Sequence, residues 1–142
     1  MNREIKFRGK DLLGKWRYGD LVREKWKSIL NTNEKAFMIK NGNRATTVLE
    51  NTIGQYTGLH DKNGKEIYEG DIVFYEDWEM AYEGGGNDSF INKGIIEYVE
   101  NNCCFNVTER QTVDLTDVLY EGNEDLEIIG NIYDNPELLE GE

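Results

Sequence analysis

Histidine and cysteine are nearly missing from this sequence. Among 142 residues there is one histidine, His60, and one pair of cysteines, Cys103 and Cys104, side by side. A Cys/His zinc site draws on four such ligands, commonly with Cys-x-x-Cys spacing, so that class is excluded. Neighbouring cysteines bridge each other only with strain, which leaves no disulfide framework and points to a reducing compartment. A Cys–His catalytic pair would need a cysteine beside His60 with a depressed thiol pKa. The bland reading is stronger: cysteine on an apolar strand is a small core residue, and His60 is a solvated or locally bonded turn residue. Calcium-loop spacing is also missing, since Asp61-Lys62-Asn63-Gly64 is too short for it. Gly84-Gly85-Gly86 lacks the Lys-Ser/Thr that completes a phosphate loop. No cofactor and no metal are expected, and no catalytic constellation is visible.

Long apolar runs are lacking as well. Nothing approaches the roughly 18 apolar residues of a membrane helix, and no basic n-region with an apolar h-region opens the chain. A soluble, cytoplasmic protein is expected, with no membrane partner. Proline is nearly absent too, and the single Pro136 falls past the last strand-like run, so the body of the chain can pair freely in sheets.

What is present is charge, unevenly placed. Residues 1–47 contain 12 Lys/Arg against 5 Asp/Glu, a net of +7, and residues 48–142 contain 4 against 23, a net of −19. The plain reading is a basic part packed beside an acidic remainder. The sharper readings are complementary faces that drive self-association, an acidic surface that occupies a basic host protein, or a basic surface for nucleic acid.

The chain also carries many short runs with period-two alternation. Glu4 to Arg8 reads as a half-buried strand with Ile5 and Phe7 inward, and Gly9-Lys10-Asp11 as a turn. Lys15 to Val22 and Lys25 to Leu30 follow as strands, with Trp16 and Tyr18 on one face. Ala36–Lys40 and Ala45–Leu49 flank Asn41-Gly42-Asn43, a tight hairpin signal. Asn63-Gly64 tips a second hairpin, and Gly70-Asp71 redirects the chain into Ile72–Tyr75, apolar enough for burial on both faces. Residues 76–93, with three consecutive glycines, read as a long mobile loop. Gly94–Val99 and Cys103–Val107 pair across Asn101-Asn102. Val113–Tyr120 fits strand or helix, Leu126–Tyr133 is the last core strand, and Asn135-Pro136 opens a short helical turn that packs Leu138 and Leu139. No internal repeat is apparent. The pattern predicts a mainly β, antiparallel barrel or small sandwich.

Three blocks of sequence resemble one family. They are Ile5-Lys6-Phe7-Arg8; Gln55-Tyr56-Thr57-Gly58-Leu59 leading through Asp61-Lys62-Asn63-Gly64-Lys65-Glu66-Ile67-Tyr68-Glu69 to Gly70-Asp71-Ile72-Val73; and Leu126–Tyr133 with Asn135–Leu139. In order and spacing they are similar to the YopX family of phage and prophage proteins. The resemblance implies an SH3-like antiparallel barrel and a bacterial host cytoplasm, and implies no activity. The expected organisation is a basic β segment over residues 1–50, packed on or extending an acidic SH3-like barrel over residues 51–142.

Two sets of residues stand out. Asn63, Gly64, Gly70 and Asp71 form a structural signature, a folding device in the chain's most distinctive stretch. Trp16, Arg17, Arg23, Lys25, Trp26 and Lys27 form a basic aromatic ribbon, the candidate partner-binding surface. A protein partner or self-association is the favoured reading for the chain, motivated by its basic first part and acidic remainder. Nucleic acid is the alternative, because cations beside aromatics can track phosphates and stack bases. Against it stand the acidity of the whole and the plainer role of Trp16 and Trp26 as core anchors. An enzyme of unknown reaction is the third reading.

Overall fold

The structure is a computed structural model that describes residues 4–25, 35–77, 90–100, 103–108, 113–114 and 126–139. The chain divides into two units, Met1–Gly58 and Leu59–Glu142. Residues 26–30 of the expected strand Lys25–Leu30, residues 78–89 of the expected loop, the Asn101-Asn102 turn and residues 115–120 lie outside the described residues.

The first unit is an antiparallel sheet. Its strands are β1 (Phe7–Lys10), β2 (Trp16–Lys25), β3 (Lys35–Asn41), β4 (Arg44–Val48) and the first part of β5 (Gly54–His60), in the order β4-β3-β2-β1-β5. A short 3₁₀ turn, Glu50–Thr52, precedes β5. β2 changes partners along its length. Trp16–Gly19 pairs with β1, and Asp20–Lys25 pairs with β3. The switch falls at Gly19, whose φ is 154° and which packs closely against β3: a Cβ there would sit 2.2 Å from the Lys40 carbonyl oxygen. Only glycine allows that approach. Phe37, Ile39 and Val48 are buried together, with Phe7, Leu21 and Ile53 packed on them.

The second unit holds β6 (Glu66–Tyr68), β7 (Asp71–Asp77), β8 (Phe90–Val99), β9 (Cys104–Thr108), β10 (Val113–Asp114) and β11 (Glu127–Asn131). Its main sheet is antiparallel in the order β10-β9-β8-β7-β11. Ile67, Val73, Ile96, Val107 and Leu126 are fully buried in its core, with Tyr75 beside them. Each such side chain contributes about 1.5–3 kcal/mol through removal from water. A 3₁₀ turn, Pro136–Leu139, ends the described chain, and the Lys93 ammonium donates to the Leu138 carbonyl.

The mainly β, antiparallel expectation holds, but the described strands form no closed barrel. In the second unit closure would need β10 to pair with β11, and β10 has two residues. In the first unit the end of β4 meets Asp11, just past β1, at an isolated bridge with Val48, beside the Leu49 amide donating to the Lys10 carbonyl at 2.8 Å. Other expectations shift locally. Ile5 is 62% exposed rather than inward, because regular pairing starts only at Phe7. The first turn lies beyond Gly9, which is inside β1. Phe74 faces outward, so β7 is buried on one face and partly open on the other. Leu138 is half-buried but Leu139 is exposed. Cys103 is exposed in a turn at φ 52°, not a core residue, and Cys104 is half-buried.

The two units share a sequence pattern that the strand reading passes over. Asp11, Gly14, Lys15 and Tyr18 recur 50 positions later as Asp61, Gly64, Lys65 and Tyr68. After one extra residue, Glu69, Gly19-Asp20-Leu21-Val22 recurs as Gly70-Asp71-Ile72-Val73. The turns are built alike. Asp11 Oδ1 accepts from the Leu13 and Lys15 amides, each at 2.9 Å, and Asp61 Oδ1 accepts from Asn63 and Lys65, each at 2.9 Å. The Gly14 amide donates to the Asp11 carbonyl at 3.0 Å, and the Gly64 amide to the Asp61 carbonyl at 3.0 Å. Both glycines have φ near 80°. The extra residue breaks the second copy, so β2 runs through its Gly-Asp pair while β6 and β7 are separated by Glu69-Gly70.

At that break Gly70 has φ 89°. Its amide donates to the Ile96 carbonyl at 2.8 Å, and its carbonyl accepts from the Ile132 amide at 2.9 Å. The Tyr68 amide donates to Asp71 Oδ2 at 2.8 Å within the buried interior. A Cβ on Gly70 would lie 3.0 Å from the Tyr133 ring. Gly70→Ala is therefore expected to cost about 1–3 kcal/mol through backbone strain. The paired substitution Leu12→Lys/Leu13→Asn, which copies the second turn into the first, should leave stability within about 0.5 kcal/mol. Leu12 and Leu13 are 71% and 94% exposed and the turn is held by Asp11. Urea unfolding of both variants checks the contrast.

Candidate functional site

The alternation of β1 and β2 sets two sheet faces. Arg8 lies opposite Tyr18 and Lys10 opposite Trp16, so these four share one face. The Trp16 ring takes two cations from its own chain. The Arg8 guanidinium is 4.7 Å from the ring centroid and the Lys10 ammonium 5.4 Å. Arg8 is buried, and Trp16 is only half-buried. Trp16 is thus not the core anchor that its size suggests. It is a surface-side platform on which basic side chains of β1 rest, an arrangement worth about 0.5–2 kcal/mol per cation.

Arg17 points to the other face, where Asp11 fixes it. Its Nε donates to Asp11 Oδ2 at 3.0 Å. One carboxylate therefore closes a turn with Oδ1 and orients an arginine with Oδ2. Beside it opens a cleft of about 270 Å³, lined by Trp16, Arg17, Tyr18, Ile39, Asn41, Arg44 and Thr46. Ile39 forms an apolar floor at 2% exposure, Tyr18 stands at the rim at 43%, and Arg44 is exposed. The Asn41 side-chain amide donates to the Tyr18 carbonyl at 3.3 Å and ties the β3–β4 turn to β2. Arg44 makes no ion pair with any described residue, whereas Arg17 is engaged. Enclosed ligand pockets run roughly 300–1,000 Å³. This open cleft is smaller, and suits one or two side chains of a partner.

Of the six ribbon residues, Trp16 and Arg17 line the cleft. Arg23 is farther along β2, with its guanidinium 5.3 Å from the Phe37 ring centroid. Lys25 ends β2, in register with Lys35. Trp26 and Lys27 lie outside the described residues. Asn41, Arg44 and Thr46 were not part of the ribbon, because they come from strands that only the fold brings beside β2. Arg8 and Lys10 could have been found from sequence, since Lys6, Arg8 and Lys10 alternate at period two along β1. Of the structural signature, Asn63 and Gly64 lie in the turn closed by Asp61, and Gly70 and Asp71 lie at the entry to β7. His60 is exposed at the end of β5. Among the described residues no group of three or more His, Cys, Asp or Glu side chains is arranged to hold a metal ion.

The model of the family described as YopX protein matches residues 6–140. Protein EF1440 from Enterococcus faecalis, known from a crystal structure, is similar in fold. The two chains are 25% identical at a TM-score of 0.54, over 96% of this chain and 99% of that one. No curated protein matches the chain.

The Lys15 amide is the main cause that holds the Asp11 carboxyl below the ordinary carboxylate range. The Arg17 guanidinium and the Leu13 amide act in the same direction, and burial opposes them. A depressed carboxyl adds stability above its unfolded pKa and loses it as pH falls through the folded value. Wild-type melting temperature should therefore fall more steeply with acidification below about pH 4 than that of Asp11→Asn. Thermal melts of the two proteins from neutral pH downward check this.

Proposed function

The chain belongs to the YopX protein family, and on that premise we propose that it is a non-enzymatic protein-binding module that takes an acidic partner in the cleft of its first unit. The observation that carries the reading is the pairing of an apolar floor, Ile39, with two arginines of different status. Arg17 is pinned by Asp11, and Arg44 is available. The first unit contains 12 Lys/Arg against 6 Asp/Glu, a net of +6, and the second contains 4 against 22, a net of −18. An acidic surface would be drawn to the first unit, and the second unit of another copy is one such surface.

An SH3-like arrangement over residues 51–142 belongs to the same proposal and rests on the family resemblance; what supports it is the antiparallel pairing of short strands in that part of the chain. A phage- or prophage-encoded protein working in the bacterial cytoplasm belongs to the same proposal and rests on the family resemblance.

Nucleic acid is the second reading, favoured by the exposed Tyr18 beside Arg44. The Trp16 ring argues against it, since Arg8 and Lys10 already occupy positions over the surface on which a base would stack.

Fluorescein-labelled poly-glutamate and a labelled single-stranded oligonucleotide, titrated at low salt, separate the readings. The protein should bind poly-glutamate, lose affinity as salt rises, and bind about tenfold more weakly as Arg44→Glu. Tighter binding of the oligonucleotide would favour the second reading. No binding of either at tens of micromolar would remove the cleft from consideration. Sedimentation velocity at low and high salt then tests the second copy as occupant: a monomer at both excludes it.

A further inference from the structure

We propose that the partner's acidic segment binds as an added β-strand along the open edge of β4, with its alternate carboxylates facing Arg44. The inference rests on the protein-binding reading above and specifies how the partner is held. The occupant is an extended acidic segment of a separate protein.

The edge follows from register. Asn41 faces Arg44 across a two-residue turn, and the pairs continue as Lys40 with Ala45, Ile39 with Thr46 and Met38 with Thr47. Residues that flank a two-residue hairpin turn form a hydrogen-bonded pair, and the pairs then alternate. Asn41–Arg44 and Ile39–Thr46 are therefore bonded to each other. Ala45 and Thr47 turn their amides away from β3, and Ala45 turns its carbonyl away too. Among the described residues β4 stands at the end of the first unit's sheet, and no described strand pairs with its outer side at Ala45. Beyond this point Val48 meets Asp11, just past β1, at an isolated bridge.

A short strand laid on β4 would close two bonds with Ala45 and one with the Thr47 amide. Main-chain bonding of this kind gives affinity, and side chains at period two give selectivity. Arg44 and Thr46 share the face that lines the cleft, so every second residue of the added strand lies on that face and one of them comes opposite Arg44. An unpaired edge is otherwise a liability that proteins blunt with charge or proline. Here the exposed residues are Arg44 and Ala45, and an acidic strand satisfies both the edge and the cation. Like-charged strands are disfavoured by the same arginine. That includes the β4 of a second copy, whose Arg44 would be brought to the interface.

The test uses a labelled peptide of about ten residues alternating Glu and Val, in L and in backbone N-methylated form. Its partners are the full chain and the variants Ala45→Pro, Thr47→Pro and Arg44→Glu. Proline is tolerated where the missing N–H points off an edge, so the first two variants should keep the wild-type melt. Each proline variant should weaken the L peptide about tenfold, the value of one lost hydrogen bond near 1.4 kcal/mol. The N-methylated peptide should bind no better than the proline variants bind the L form. If Arg44→Glu abolishes binding while both proline variants bind normally, the cleft stands and strand addition is wrong. If no variant matters, both fail. A wild-type protein that is dimeric without peptide and is dissociated to monomer by it would make a second copy the occupant and overturn the choice of partner.

Discussion

An aspartate carboxylate that accepts the amides of its own turn is the interaction on which the rest depends, and the chain uses it twice. Asp11 and Asp61 each satisfy two backbone donors that a five-residue turn would otherwise leave to water. Each still has a second oxygen to spend. Asp11 uses it on Arg17, and Asp61 accepts from the Ile128 amide at 3.1 Å. The first choice orients a side chain toward the cleft. The second brings the start of β11 against the hairpin, where the Lys62 amide also donates to the Leu126 carbonyl at 3.0 Å. One local device thus leads to a site in the first unit and to the last strand of the sheet in the second.

The same device explains why the two copies diverge in use. Lys62 and Asn63 occupy the second turn, and Leu12 and Leu13 occupy the first, yet the backbone bonds match. The turn is insensitive to those side chains. Divergence after the turn has a larger effect. Glu69 inserts one residue after Tyr68, so the strand breaks and the block Gly70-Asp71-Ile72-Val73 is offset by one from its counterpart Gly19-Asp20-Leu21-Val22; Tyr68 is buried, while Tyr18 at the corresponding place lies at the rim of the cleft. A single residue slip in a period-two element changes which face a side chain joins.

Much of this was legible in the sequence where one residue type forces one geometry. Gly70-Asp71 and Asn63-Gly64 were readable as turn and re-entry because positive φ and an amide-accepting carboxylate have few alternatives. Ile72, Val73, Ile96 and Val107 were readable as core from short β-branched runs. Ile5 was misplaced because period two says which residues share a face, not where pairing begins. Barrel closure was not legible, since it depends on edge contacts such as Asp11–Val48 that no local pattern encodes. The cleft was half-legible. Trp16 and Arg17 came from one strand, but Asn41, Arg44 and Thr46 reach it only through the β2–β3–β4 register. The repeat escaped because it lies in turn residues and not in the alternating pattern that defines strands.

Amide hydrogen exchange of wild type and Asp61→Ala under native conditions tests the central claim most directly. Exchange should accelerate at Asn63, Lys65 and Ile128, whose amides lose their acceptor, and remain unchanged at Leu13 and Lys15, whose acceptor is Asp11. Unchanged exchange at Ile128 would show that Asp61 does not hold β11, and equal acceleration at all five amides would show that the two turns are not independent devices.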